Sequence, residues 1–299
     1  MSFSDREKRL GKGKSKKISV IVPNYNYAHY LKRRMMSIAG QTYPIYEMIV
    51  LDDASTDGSK TAIKMFAPLV GQSHPETKIK LMWNKENSGK AICQWAKGVE
   101  AASGDYIWIA EVDDLARKEF LAEAMKGFEA DPDVVISYTE SAIINKYGIL
   151  TLPNFRHSRD REGQGHYAKS YIRPGKQEIE EIMAIRCSIP NVSGVVFKKT
   201  PALSKFLTQA VKFQQVGDWY LYTKLLENGK IFYNHRSMNF FRVHGGSATN
   251  RGEEHVKEIA LMHKYFKDKY ELSKEIQGYM DAELERTRRK YGIIKYRVI

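Results

Sequence analysis

The most constraining feature of this chain is an alternation in its first half. Short apolar runs at 18–22, 46–51, 78–83, 106–110 and 134–138 are separated by stretches whose apolar residues recur every three or four positions. Leu31, Met35, Ile38 and Ala39 mark such a stretch over 30–41; others cover 58–70, 89–102 and 117–129, the last ended by Asp131-Pro132. Strands of four to eight residues alternating with amphipathic helices build βαβ units. The fold class expected is therefore α/β, a mostly parallel central sheet flanked by helices. Beyond it, 153–175 lacks periodicity and reads as a long loop, either an insert without structure or a lid over an acceptor. Helices are expected at 177–185 and 218–226 and strands at 192–197 and 230–233. A helical extension is expected over 253–291, with a break near Gly278 and Ile259, Met262, Tyr265 and Phe266 on one face. Trp83 and Trp108, both in strands, are expected in the core, as is Cys93.

Composition excludes several classes. Of the 299 residues 42% are hydrophobic, enough for a core, so the chain is not wholly disordered. Cys93 and Cys187 cannot build a disulfide framework or a Cys-rich zinc site, which points to a reducing compartment. No apolar run reaches the ~18 to 20 residues that span a bilayer, and no apolar segment follows the charged N-terminus, so neither an anchor nor a signal peptide is expected. A cytoplasmic protein follows. The net charge of +13 predicts an anionic partner. The excess sits at the ends: Arg6, Lys8, Arg9, Lys12, Lys14, Lys16 and Lys17 at one, and Arg286, Arg288, Arg289, Lys290, Lys295 and Arg297 at the other. With no zinc-knuckle spacing, RRM-type signature or helix-turn-helix, nucleic acid is not the expected partner.

In an open parallel sheet, ligands bind beyond the carboxyl ends of the strands. Those ends carry Pro23-Asn24-Tyr25-Asn26, Asp52-Asp53-Ala54-Ser55-Thr56-Asp57-Gly58 and Glu111-Val112-Asp113-Asp114. Asp57 and Ser59 read as caps of the following helix. Glu111 and Asp113, alternate residues leaving one strand, offer hard oxygens suited to Mg²⁺ or Mn²⁺ held with a diphosphate. Gly89-Lys90 lacks P-loop spacing, no G-x-G-x-x-G follows the first strand, and no G-x-S-x-G elbow occurs, which sets aside P-loop, dinucleotide-binding and α/β-hydrolase functions.

The ordered segments Ser19-Val-Ile-Val-Pro-Asn-Tyr-Asn26, Gln41-Thr-Tyr-Pro44, Ile49-Val-Leu-Asp-Asp-Ala-Ser-Thr-Asp-Gly58, Glu86-Asn-Ser-Gly89 and Gly104-Asp-Tyr-Ile-Trp-Ile-Ala-Glu-Val-Asp-Asp114 resemble the signatures of family-2 glycosyltransferases with the GT-A fold. Gly194-Val-Val-Phe197, Gly217-Asp-Trp219 and Phe241-Arg-Val-His-Gly-Gly-Ser247 continue the resemblance, which covers about residues 16–250. It implies a nucleotide pocket at Pro23, Asn24, Tyr25, Asn26, Asp53, Asn87, Lys90, Glu111, Val112 and Asp113, with Asp53 on the nucleobase. It implies Asp113 and His244 at a divalent cation, Mn²⁺ or Mg²⁺, and Asp218 as general base, with Trp219 against a sugar face. Glu111 is one methylene longer than the usual aspartate, and Gly217 stands where many relatives have glutamate, leaving one carboxylate at the base position.

The implied activity is inverting transfer of a hexosyl or deoxyhexosyl unit from a UDP- or dTDP-sugar to a glycan or lipid-linked acceptor. Bacterial surface polysaccharide or glycolipid assembly is the setting, at the inner face of the membrane. No Q-x-x-R-W motif occurs, unlike the processive relatives, so single-sugar or short-chain transfer is expected. The alternatives are a sugar nucleotidyltransferase and a catalytically inactive scaffold of the same fold. The expected organisation is a basic tail (1–15), a sugar-nucleotide half (16–115), an acceptor half (116–252) and a helical extension (253–299). The extension either packs on its own domain or a second subunit, as in a homo-oligomer, or meets an anionic membrane through its basic end.

Overall fold

In the computed structural model, residues 16–160, 165–245 and 252–292 are described. Strands β1 (Ile18–Asn24), β2 (Glu47–Asp52), β3 (Lys78–Trp83) and β4 (Tyr106–Ile109) are connected by helices α1 (Ala28–Ala39), α2 (Ser59–Phe66) and α3 (Ala91–Ala101). They pair in parallel in the order β3-β2-β1-β4, as strands joined through helices do. The remaining strands are β5 (Leu115–Ala116), β6 (Val134–Asn145), β7 (Leu150–Leu152), β8 (Tyr171–Pro174), β9 (Val195–Lys198) and β10 (Lys230–Val243). They continue the sheet as β4-β9-β6-β10-β5, with β7 on β6 and β8 on β10. Here β9 runs antiparallel to both β4 and β6, while β6 and β10 are parallel. The sheet is thus parallel where the sequence alternates and mixed beyond.

Every residue of β1 and β2 is buried, because the sheet is covered on both faces. Ile21, Ile49 and Ile107 enter one apolar layer, with α3 and helices α5 (Pro201–Ala210) and α6 (Gly217–Leu226). Val20, Val22, Met48 and Trp108 enter the other, with α1 and α4 (Phe120–Ala130). Trp83 differs from expectation: on the edge strand β3 it is 37% exposed, outside the core. Cys93 is half-buried on α3. The 58–70 stretch resolves into α2 and a second short helix, Pro68–Ser73, opened by a proline. Strands β6 and β10 run to 12 and 14 residues, well past the apolar runs that announced them. Their distal halves carry polar side chains that are satisfied internally, and apolar patterning does not register those.

Within 153–175, parts of the described chain pack into the domain, while Ala168, Lys169 and Ser170 are exposed. Arg159 pairs with the fully buried Glu140, Tyr167 is 3% exposed, and β8 extends the sheet.

Helices α7 (Gly252–Lys269) and α8 (Lys274–Lys290) form the extension. The interruption falls at 270–273, where Ser273 Oγ accepts from the Ile276 N–H; Gly278 lies inside α8. Ile259, Met262, Phe266 and Met280 join the core layer of α6. The Glu258 carboxylate accepts from the N–H groups of Gln214, Gln215 and Val216 at 2.6, 2.8 and 3.1 Å, anchoring α7 to the loop that opens α6. His263 Nε2 lies 3.0 Å from the Ile185 carbonyl. Through Gly292 the extension packs on its own domain. The basic tail 1–15 and the segment 293–299 lie outside the described residues. Phe266→Ala should therefore destabilise the whole domain by about 3–5 kcal/mol. A single urea transition shifted to lower midpoint is expected; a separate early transition would make the extension an independent unit.

Candidate active site

The carboxyl ends of β1 and β2 are tied together first. Asn24 Nδ2 donates to Asp52 Oδ1 (2.9 Å) and Ser55 Oγ (3.2 Å), and the Asn26 N–H donates to Ser55 Oγ (2.9 Å). Asn26 sits at φ 56°, a left-handed conformation asparagine tolerates, and its side chain accepts from the Thr56 N–H. Asp57 accepts from the N–H groups of Ala28 and Ser59, capping α1 and α2 together. Pro23 is buried at this rim and Tyr25 is 45% exposed beside it.

Asp53 is 4% exposed and heavily used. It accepts from Asn84 Nδ2 (2.6 Å), the Ser88 N–H and hydroxyl (3.0 and 2.7 Å) and Gln94 Nε2 (2.8 Å). A carboxylate offers about four acceptor positions, so a nucleobase donor at Asp53 would exchange with one of these. The structure makes Asp53 the latch of the 84–90 loop. In that loop Asn87 turns its Oδ1 to the Gly89 N–H. Lys90 reaches across to the carbonyls of Val211 (2.6 Å) and Phe213 (3.4 Å), tying the first half to the second just beyond α5.

At the end of β4 the acidic segment divides its side chains. Val112 is buried in the core. Glu111 Oε1 accepts from the Trp95 indole N–H at 2.5 Å. Burial, then Asp113, pushes the Glu111 pKa up to about 8. Asp114 is 3% exposed, accepts from the Arg242 N–H at 2.8 Å and is pushed up to about 7 by burial and Asp113. Asp113 Oδ2 lies 3.0 Å from His244 Nε2, and the His244 ring packs edge-on against Tyr27. Beneath them Arg34 is fully buried, stacked on Trp108 at 4.9 Å, and its guanidinium nitrogens make no hydrogen bond. Its charge is balanced through space by Asp114, Asp113 and Glu111, and burial lowers its pKa to about 10.

Among the described residues no three His, Cys, Asp or Glu side chains are grouped tightly enough to hold a metal by themselves. Asp113 and His244 nevertheless fit one. Adjacent ligands of an octahedral ion with bonds of ~2.1 Å lie ~3.0 Å apart, as these two atoms do, and Mg²⁺-type ions usually take few protein ligands and fill the rest with water and phosphate.

Asp218 occupies the first turn of α6, where the helix dipole favours a carboxylate. Its Oδ1 accepts from the Trp219 N–H at 2.8 Å. Burial, with Glu258 nearby, raises its pKa to about 6. It borders a cavity of about 270 Å³ between the 185–190 loop and α8. Nearby, the fully buried Tyr222 phenol makes no hydrogen bond, and burial, then Asp218, Cys187 and Glu111, raise its pKa. Trp219 is not a free sugar platform. It is 4% exposed, stacked on Phe266, with its indole N–H on the Met183 carbonyl. At Gly217 a Cβ would lie 2.8 Å from Ile92 Cδ1 and 3.0 Å from the Ala210 carbonyl, a tight but yielding fit.

Patterning did not single out Trp95, Tyr27, Arg34 or Arg242 for this site. Arg34 alone left a signal, a cation within the apolar stripe of Leu31, Met35 and Ile38.

Fold and site together define a glycosyltransferase of the GT-A type. The sequence model of glycosyl transferase family 2 matches residues 19–188, and the chain belongs to that family. Membership sets aside the nucleotidyltransferase alternative. TuaG of Bacillus subtilis (strain 168), assigned to teichuronic acid biosynthesis, is 29% identical over 141 residues, 47% of this chain and 52% of that protein. The chain thus spans about half of that relative's length. A crystal structure of S. aureus TarS in complex with UDP-GlcNAc superposes with a TM-score of 0.63 at 16% identity, covering 93% of this chain and 73% of the other. The mannosyltransferase PcManGT from Pyrobaculum calidifontis, in complex with GDP-Man and Mn²⁺, gives 0.60 at 17% identity over 98% and 82% of the two chains. Both likenesses establish the fold.

The raised pKa of Asp218 has a consequence for stability. A carboxyl that binds its proton more tightly folded than unfolded contributes stability below its unfolded pKa of ~3.8, and that contribution is lost as pH rises through about 6. Asp218→Asn should thus melt higher than the parent at pH 7.5 and no higher at pH 4. A lower melting temperature at pH 7.5 would contradict the burial of a strained carboxylate.

Proposed function

We propose that the protein transfers a sugar from a nucleoside-diphosphate sugar to an acceptor hydroxyl with inversion, Asp218 serving as general base. The observation that carries this reading is Asp218 itself: a partly buried carboxylate at the start of α6, pKa about 6, bordering a cavity. A base titrating just below neutral pH is ionised in use yet basic enough to accept a proton in the transition state. UDP- or dTDP-sugars are the donors favoured, in keeping with the UDP-GlcNAc held by TarS. The teichuronic acid assignment of TuaG supports a setting in cell-surface polymer assembly.

Each group has a task. The ends of β1 and β2 and the 84–90 loop latched by Asp53 hold the nucleoside. Asp113 and His244 would hold a divalent cation with the donor diphosphate, and that cation would neutralise the leaving charge. Glu111 is held at this rim by the Trp95 indole N–H. The acceptor O–H gives its proton to Asp218 as its oxygen bonds to the anomeric carbon. The bond from that carbon to the diphosphate oxygen breaks on the opposite side, and its electron pair leaves with the nucleoside diphosphate.

Asp218→Asn should lower kcat by about 10² to 10⁴ while nucleotide affinity holds, as for loss of a general base. In the parent enzyme kcat should fall as pH drops through about 6, because the base must be ionised. Near-full activity of the variant, or a flat profile from pH 5 to 8, would refute the assignment. Asp113→Asn should weaken UDP binding in the presence of Mn²⁺ more than in its absence; calorimetric titration showing equal losses would remove Asp113 from the cation.

A further inference from the structure

One charge in the core is not accounted for by packing. Arg34 lies in the buried stripe of α1 with Leu31, Met35 and Ile38, and it is itself fully buried. Its guanidinium stacks on Trp108 at 4.9 Å, yet Nε, Nη1 and Nη2 make no hydrogen bond. Taking a charge out of water without such partners is among the costliest burials a fold can carry, and an apolar side chain of similar volume would fill the stripe without that cost. What the position supplies beyond bulk is positive charge. The groups that feel it are Asp114, then Asp113, then Glu111, the carboxylates at the end of β4.

The other groups around that turn are few. Strand β10 brings Arg242, on Asp114 and on the Asp113 carbonyl, and His244, on Asp113. Helix α1 adds the rings of Tyr27 and Tyr30 against His244. Among carboxylates and guanidiniums alone, three against two leave a single formal negative charge at the rim. A divalent cation at Asp113 and His244 would turn that balance positive, with Arg34 beneath it in a surrounding that screens poorly. A nucleoside diphosphate, bringing at least two negative charges, would turn it back.

We propose that Arg34 sets the order in which the donor site fills: its fixed charge repels a free divalent cation from Asp113 and His244 and attracts the nucleoside diphosphate, so that the cation is taken up with the nucleotide and not before it. The proposal rests on the donor site described under the glycosyltransferase reading above. Arg34 is buried beneath the rim and touches neither ligand, so it acts on both through its field and is a positioning residue, not a catalytic one. A fixed charge acts on cation and diphosphate with opposite sign. It leaves their direct contact alone, so the gain that each gives the other is unchanged.

Calorimetric titrations of the full chain separate this role from a structural one. Mn²⁺ alone, UDP alone in the presence of a chelator, and UDP with saturating Mn²⁺ are measured for the parent, Arg34→Met and Arg34→Lys. Arg34→Met should bind Mn²⁺ alone about tenfold more tightly than the parent and UDP alone several-fold more weakly. The factor by which Mn²⁺ strengthens UDP binding should change by less than about twofold. Arg34→Lys keeps the charge and should stay near the parent in all three titrations. Melting curves add a readout without nucleotide: Mn²⁺ should raise the melting temperature of Arg34→Met more than that of the parent. Arg34→Gln, also neutral, carries the same expectations and takes the place of Arg34→Met should that variant fail to fold. A loss of packing alone would weaken both ligands together. Mn²⁺ and UDP affinities that move in the same direction, or do not move, overturn the proposal, as does Arg34→Lys behaving like Arg34→Met. A parent that fails to bind UDP even with Mn²⁺ refutes the donor-site reading instead, a result distinct from a parent that binds both with its variants unmoved.

Discussion

Arg242 is the tie on which the site depends. It is 1% exposed near the end of β10, and its backbone and side chain hold the acid rim from beneath. Its N–H donates to Asp114 Oδ1, its Nε to the Asp113 carbonyl at 2.5 Å, and its Nη1 to the Asn145 carbonyl at 3.0 Å. Its guanidinium lies over the Tyr30 ring of α1 at 4.6 Å. One side chain thus fixes the turn after β4, the end of β6 and the first turns of α1. Two residues further on, the same strand delivers His244 to Asp113. An acid cluster at a strand end would otherwise spread by like-charge repulsion. Here Arg34 below and Arg242 beside it hold the cluster in place.

The first half was legible because each strand is buried on both faces and each connecting helix on one. These conditions write themselves into sequence as apolar runs and three-to-four periodicity. Strand ends carrying Asn24, Asp53 and Asp113 could be assigned to one rim from topology alone. The second half was less legible for physical reasons. In β6, Ser137, Thr139, Glu140 and Ser141 are fully or nearly fully buried yet polar, satisfied by partners such as Arg159 and Tyr233 that lie far away in sequence. A buried polar network has no local signature. Trp83 misled because β3 lies at the edge of the sheet, where a strand-like pattern does not guarantee cover. The docking of α8 beside Asp218 was visible only as a basic terminus, since its place depends on tertiary packing.

The extension accordingly belongs to the chemistry as well as the packing. Glu258 supplies acceptors to three N–H groups in the loop that opens α6, so the orientation of Asp218 depends on α7. The same carboxylate, through its charge, helps raise the Asp218 pKa toward neutrality. A single residue of the extension therefore both positions the helix carrying the base and tunes that base.

The close approach of the two halves explains the sparse base site. Lys90 spans from α3 to the carbonyls of Val211 and Phe213, and Ile92, also on α3, packs where a side chain at residue 217 would project. A Cβ at 217 would need Ile92 Cδ1 to turn aside and the Ala210 carbonyl to give slightly. A second carboxylate beside Asp218 would cost this contact and, sharing a low-dielectric pocket with the first, would push one of the pair to hold its proton. With glycine in place, no second carboxylate stands beside Asp218 on its own helix, and burial, aided by Glu258, brings its pKa into the range a base can use.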